Sequence, residues 1–146
     1  MGKKLEHGSL TSLRLAGMWG GRCIGLTKER LQFGQEGESA ALDFLKKKSY
    51  RILEKNFRSK LGEIDIIADH KGVIVFIEVK ARSNHEYGHP FIALTPTKQK
   101  KIIQTAQSFL SQKRIVDKPV RFDVVAMTMD PSNTWKIELL ENAFQL

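Results

Sequence analysis

The sequence predicts an α/β fold, α+β under a stricter definition, in which helices flank a mixed sheet in the order α-β-β-β-α-β-β. Two observations carry this prediction. Two stretches repeat apolar residues at three-and-four spacing, as amphipathic helices do, and five short apolar stretches alternate with turn residues, as strands do. Residues 34–48 form the first helix, with Ala41, Phe44, Leu45 and Lys48 on one face and Ala40 and Ala41 as good helix formers. Residues 50–57, 63–68 and 73–82 follow as strands. Asp69-His70-Lys71-Gly72 turns the second into the third, so these two form an antiparallel hairpin. Residues 83–94, with Gly88 and Pro90, make a loop. Thr95 then caps a helix whose first position is Pro96. That helix runs to about Lys113 and buries Ile102, Ile103, Ala106, Phe109 and Leu110. Residues 120–129 are the fourth strand, 130–133 a turn, and 135–141 the fifth strand.

Composition narrows the class. A length of 146 residues suits one domain, and 41% hydrophobic content supports a core, which excludes wholesale disorder. No run of about 18 apolar residues occurs, so no transmembrane helix is expected. The single cysteine, Cys23, excludes an intramolecular disulfide and a Cys-rich zinc site, and suits a reducing, cytoplasmic compartment. With 24 Lys and Arg against 16 Asp and Glu, the chain carries +8 and favours an acidic partner, most commonly nucleic acid. Half of that charge lies in residues 1–33, where Lys3, Lys4, Arg14, Arg22, Lys28 and Arg30 outnumber Glu6 and Glu29. Gly17, Gly20, Gly21 and Arg22 interrupt any apolar core of a signal peptide. Residues 1–33 therefore read as a flexible basic arm with a short helix around residues 10–16. The other reading is an unstructured leader or an upstream start, with Met18 a later one. Residues 34–146 read as one compact domain.

The third strand carries charge where a core strand should not. One face reads Val73, Val75, Ile77, Val79, Ala81; the other reads Ile74, Phe76, Glu78, Lys80, Arg82. A strand this apolar belongs in the sheet centre, where unpaired charge is costly. The second strand holds Asp65 between Ile64 and Ile66. A connection of two or four residues sets Asp65 and Glu78 on one face, and a loop over residues 70–73 sets them directly opposite. Two carboxylates that close repel unless a cation lies between them. Lys80 serves in part; a magnesium ion, with manganese as substitute, serves better, since it takes one or two carboxylates, waters and phosphate oxygens.

Glu38 borders the buried stripe of the first helix, and either joins these acids as a ligand or complements the helix dipole; Glu36 is its rival. Asp65 and Glu78, joined by Glu38, would hold the metal, and a metal-bound water would attack a phosphodiester. Lys80 would orient that water or stabilise the developing charge. Lys98, Lys100 and Lys101 cluster at the start of the second helix, where backbone amides add to a phosphate site. Lys98 borders the buried stripe and is the best placed of the three.

These residues match a family. Gly34-x-x-Gly37-Glu38-x-x-Ala41, Gly62-Glu63-Ile64-Asp65-Ile66-Ile67-Ala68 and Val75-Phe76-Ile77-Glu78-Val79-Lys80-Ala81-Arg82 resemble the blocks of YraN-like bacterial proteins. Gly88-x-Pro90, the Lys98 helix and Arg121-Phe122-Asp123-Val124-Val125 extend the resemblance over roughly three-quarters of the chain. It implies a restriction-endonuclease-like fold, distantly similar to archaeal Holliday junction resolvases, with the Asp…Glu-x-Lys pattern on Asp65, Glu78 and Lys80 and the helix-one acid on Glu38. Ile64 stands where many nucleases of that superfamily carry proline, and Ala81 where this family commonly carries a hydroxyl residue.

The expected function is a magnesium-dependent endonuclease on DNA in preference to RNA, with branched or recombination intermediates as candidate substrates and Arg82 among the nucleic-acid contacts. A junction resolvase would be a homodimer. The alternative is a nucleic-acid-binding protein on the same fold without catalysis. Elsewhere, His85 and His89 read as exposed loop residues and Cys23 as inert. Trp135 reads as a core residue, and Asp123 as the partner of a buried arginine or amide.

Overall fold

The computed structural model describes residues 28–82 and 94–145. Its elements are helix α1 (Lys28–Lys47), strands β1 (Arg51–Ser59), β2 (Gly62–His70) and β3 (Val73–Arg82), helix α2 (Pro96–Gln112), and strands β4 (Val120–Met129) and β5 (Trp135–Phe144). The predicted order and class both hold. The five strands lie side by side in chain order. Neighbours are antiparallel except β3 and β4, which are parallel and therefore need a crossover, supplied by α2.

β3 is the central strand, and both of its faces are covered. Val75, Ile77, Val79 and Ala81 pack with Ala41 and Leu45 of α1. Ile74 and Phe76 pack with Ile102, Ala106 and Phe109 of α2. Alternation along the strand therefore sends odd residues to α1 and even residues to α2. The Phe109 ring meets Phe57 and Phe76 edge-on, at 5.2 and 5.9 Å between centroids, a favoured aromatic geometry. α2 begins as its sequence dictates: Thr95 Oγ1 accepts from the Lys98 N–H at 3.3 Å, with Pro96 following the cap. No helix among the described residues is long and apolar enough to cross a membrane.

Several boundaries differ from the sequence expectation, among them the end of β1, at Ser59 rather than residue 57. α1 starts at Lys28, six residues before Gly34, so residues 28–33 are helical rather than part of an arm. Glycine is a poor helix former, but Gly34 and Gly37 are buried within this helix, and packing overrides propensity. The Phe33 ring lies 4.7 Å from Trp135, and a Cβ on Gly37 would sit 3.2 Å from the same indole. Trp135 is thus a core residue, as expected. The β2–β3 turn shrinks to two residues, because Lys71 and Gly72 both take positive φ (54° and 85°), the type I′ pattern. Asp69 and His70 become strand residues, and Asp69 Oδ1 accepts from the Gly72 N–H at 3.1 Å. β5 continues to Phe144, three residues beyond expectation. The remaining arm, its short helix, Cys23, and the loop with His85, Tyr87, Gly88, His89 and Pro90 lie outside the described residues.

Asp123 has the partners its sequence context implies. Its buried carboxylate accepts from Arg121 Nε at 2.8 Å and Nη2 at 2.9 Å, a two-point pairing. Tyr50 Oη donates to it at 3.0 Å and the Asn142 N–H at 2.9 Å. Burial and the Asp123 charge together push the Tyr50 phenol above its ordinary pKa. Asp123→Ala strands the Arg121 guanidinium, and should lower stability by about 3 kcal/mol or more, as urea denaturation would measure. Tyr50→Phe removes two hydrogen bonds, the one its Oη donates to Asp123 and the one it accepts from Arg121 Nη2 at 2.7 Å, and should cost about 1–3 kcal/mol.

Gly62 fixes how closely α2 approaches β2. A Cβ there would lie 2.9 Å from Thr105 Oγ1, and Thr105 is fully buried. Gly62→Ala should cost about 1–3 kcal/mol through overpacking. Adding Thr105→Ala should recover part of that loss, so the two substitutions combine less than additively in urea denaturation.

Candidate functional site

β2 pairs with β3 from His70↔Val73 to Ile66↔Ile77. Continued by one residue, this register would set Asp65 opposite Glu78, as the sequence parity predicts, but the pairing ends at Ile66↔Ile77. Asp65 Oδ2 accepts from the Val79 N–H at 2.8 Å, so a side chain takes the role that a strand carbonyl would have. Ile64 and Ile67, three residues apart, pack in the same layer, while Ile66 and Ala68 pack in the other. Strict alternation therefore breaks around Asp65, where β2 leaves β3.

Glu78 and Lys80 share the α2-side face of β3, with Arg82 next along it. Both are almost fully buried, at 3% and 4% exposure. A buried carboxylate is tolerable only when paired. Glu78 Oε1 lies 3.3 Å from Lys80 Nζ and 2.6 Å from Lys98 Nζ. Lys98 reaches it from the capped first turn of α2, so the crossover helix brings the second ammonium to the strand. Burial pushes the Lys80 amine down to a pKa of about 8, assisted by the neighbouring Lys98 and opposed by the charge of Glu78.

The other candidates are placed differently. Glu38 is half-buried on α1, the helix of the opposite layer, and accepts from Asn56 Nδ2 at 3.1 Å. Its rival Glu36 accepts from Gln32 Nε2 at 2.9 Å on the exposed face of α1. Among the described residues, no three His, Cys, Asp or Glu side chains gather as a metal cluster. The oxygen donors at the end of the β2–β3 ladder are Glu78 and, bonded to the adjoining Val79 N–H, Asp65. A pair of carboxylates fits magnesium or manganese, which take hard oxygen ligands and complete their shell with water and phosphate oxygens. Lys100 and Lys101 are exposed on α2. Lys101 also lines an open cleft of about 410 Å³ with Arg58, Lys60 and Leu61 at the β1–β2 turn. Sequence reasoning missed Arg58 and Lys60, because only the tertiary fold sets that turn beside α2. Arg121 was legible: it stands two residues before Asp123 on one strand, hence on the same face.

The lowered pKa of Lys80 has a consequence for stability. Between pH 8 and about 10.5, the unfolded chain still holds a proton that the folded chain has released. Stability attributable to Lys80 therefore rises with pH across that window. In EDTA, the urea stability of the wild type should gain on that of Lys80→Met as pH is raised from 8 to 10.5. A difference that stays flat contradicts the assignment.

The chain is similar to known sequences over most of its length. It is 50% identical over 115 residues to a UPF0102 protein from Clostridium botulinum (strain Kyoto / Type A2), covering 77% of this chain and 94% of the relative. A UPF0102 protein from Geotalea uraniireducens (strain Rf4) is 44% identical over 113 residues, covering 77% and 89%. The profile described as "Uncharacterised protein family UPF0102" matches residues 37–127, which include Asp65, Glu78, Lys80, Lys98 and Asp123. With this match and these identities, the chain belongs to the UPF0102 family, the YraN-like proteins.

Proposed function

We propose that this chain is a divalent-metal-dependent endonuclease that hydrolyses phosphodiester bonds in DNA. One observation carries the proposal: a carboxylate and an amine, Glu78 and Lys80, are buried on one face of the central strand, with Asp65 of β2 bonded to the Val79 N–H between them. A core gains nothing from such a set, so chemistry is its better explanation. Asp65 and Glu78 would hold magnesium or manganese. When bound, that ion supplies charge stabilisation at the phosphate and a bound water of lowered pKa. Lys80, fixed by β3, faces the same side as Glu78 and stabilises charge that develops on the phosphate oxygens. Lys100, Lys101 and Arg82 contact the backbone phosphates around the site, joined by Lys98. Glu38 lies on α1, over the opposite face of the sheet and bonded by Asn56, and takes no part in this reading. Branched DNA is the preferred substrate class, and resolution of a junction would require a homodimer so that two strands are cut.

A second reading, nucleic-acid binding without catalysis, is favoured by one feature: Lys80 and Lys98 already neutralise Glu78. Nicking of single-stranded, duplex, flap and four-way-junction DNA distinguishes the two. Wild type with Mg²⁺ or Mn²⁺ should nick at least one substrate. Glu78→Gln and Lys80→Met should each reduce nicking by 10²-fold or more, by order of magnitude, with folding intact by circular dichroism. Salt-sensitive binding with no nicking establishes the second reading instead.

A further inference from the structure

We propose that Lys98 is an exchangeable counter-ion of Glu78, displaced by the divalent cation and thereby released to the anionic substrate. This rests on the metal reading of Asp65 and Glu78 and adds a role for the helix. Both ammoniums address the same oxygen: Lys98 Nζ is 2.6 Å from Glu78 Oε1 and Lys80 Nζ is 3.3 Å from it. A divalent cation on that oxygen would stand within a few ångströms of two positive charges, a strongly unfavourable arrangement at low dielectric. One ammonium must yield.

The structure assigns that part to Lys98. The Lys80 side chain is 5% exposed and enclosed by the strand face, whereas the Lys98 side chain is 32% exposed and extends from the first turn of a helix. Four bonds of flexible stem carry Lys98 outward without moving the backbone, which the Thr95 cap holds. Three residues along the same face of the helix stands the exposed Lys101, so the released ammonium joins a surface suited to phosphate.

Metal and anion then depend on each other. In the absence of nucleic acid, the cation must compete with Lys98 for Glu78. With a phosphodiester present, the displaced ammonium gains a new partner, and cation binding strengthens. By reciprocity the cation strengthens anion binding by the same factor.

Manganese titration of the full chain, followed by calorimetry or by the electron paramagnetic resonance of free Mn²⁺, tests this. Wild type, Lys98→Met, Lys98→Gln, Lys98→Arg and Glu78→Gln would be compared, each checked for wild-type circular dichroism. Without nucleic acid, Lys98→Met and Lys98→Gln should bind Mn²⁺ about tenfold more tightly than wild type, within the usual range of site coupling. Lys98→Arg should match wild type, and Glu78→Gln should lose binding. A non-hydrolysable phosphorothioate duplex should tighten Mn²⁺ binding to wild type more than to Lys98→Met. Binding to Lys98→Met where wild type shows none also supports the exchange. Equal or weaker binding by Lys98→Met and Lys98→Gln, with Glu78→Gln still defective, overturns the exchange and leaves the metal site standing. No Mn²⁺ binding to any of these proteins, or binding indifferent to Glu78→Gln, overturns the metal reading and the exchange together.

Discussion

The constraint on which the rest depends is that β3 is covered on both faces. A strand between four others, with α1 over one side and α2 over the other, has no solvent side for a polar residue. Glu78 and Lys80 occupy that strand all the same. The carboxylate has almost no exposure to solvent, so its charge is answered from the protein. Lys80 answers from the same strand and Lys98 from the crossover helix. The parallel pairing of β3 with β4 is what makes a crossover necessary, and the crossover is what brings Lys98 to the site. Topology and electrostatics are therefore coupled: a strand order without the β3–α2–β4 unit would leave Glu78 with one ammonium rather than two.

Asp65 shows how the same pair of strands both builds and ends the site. From His70 to Ile66 β2 is an ordinary antiparallel neighbour of β3. At Asp65 a carboxylate oxygen takes over the Val79 N–H. Leaving that amide unsatisfied inside a sheet would cost about 1–3 kcal/mol, so the aspartate terminates the ladder at little penalty.

How much of this was legible in the sequence follows from the range of the forces involved. β3 and β4 were read to the residue, because alternation over ten positions is a local signal bounded by turns. The α2 start was equally local: a threonine cap and a proline. The β2–β3 register followed from parity alone as far as Ile66↔Ile77, because loops over residues 70–73 and 71–72 give the same pairing. The start of α1 was misplaced because Gly34 and Gly37 favour a break locally, and only Trp135, a hundred residues away by order of magnitude, makes small residues the right choice there. Lys98 was singled out for the apolar stripe it borders. Its contact with Glu78 depends on the packing angle of a helix, which no pattern within either segment encodes. Glu38 carried the opposite ambiguity: its motif spacing was visible, but its bond to Asn56 was not.

Two buried acids in this fold are partnered in different ways, and the difference separates structure from function. Asp123 accepts four hydrogen bonds, from Arg121 twice, from Tyr50 and from the Asn142 amide, which occupies both of its oxygens in fixed directions. Arginine's planar fork makes such a pairing rigid, and a backbone amide cannot swing away. Glu78 is held instead by two lysines, whose ammoniums are point charges on flexible stems with no directional match to a carboxylate. The first arrangement ties β4 to β5 through the Asn142 amide and to Tyr50, which immediately precedes β1. The second can exchange a partner at the cost of a rotamer change on α2. The proposed metal role of Glu78 requires partners of the second kind, and in this chain the lysines stand at Glu78 while the arginine stands at Asp123.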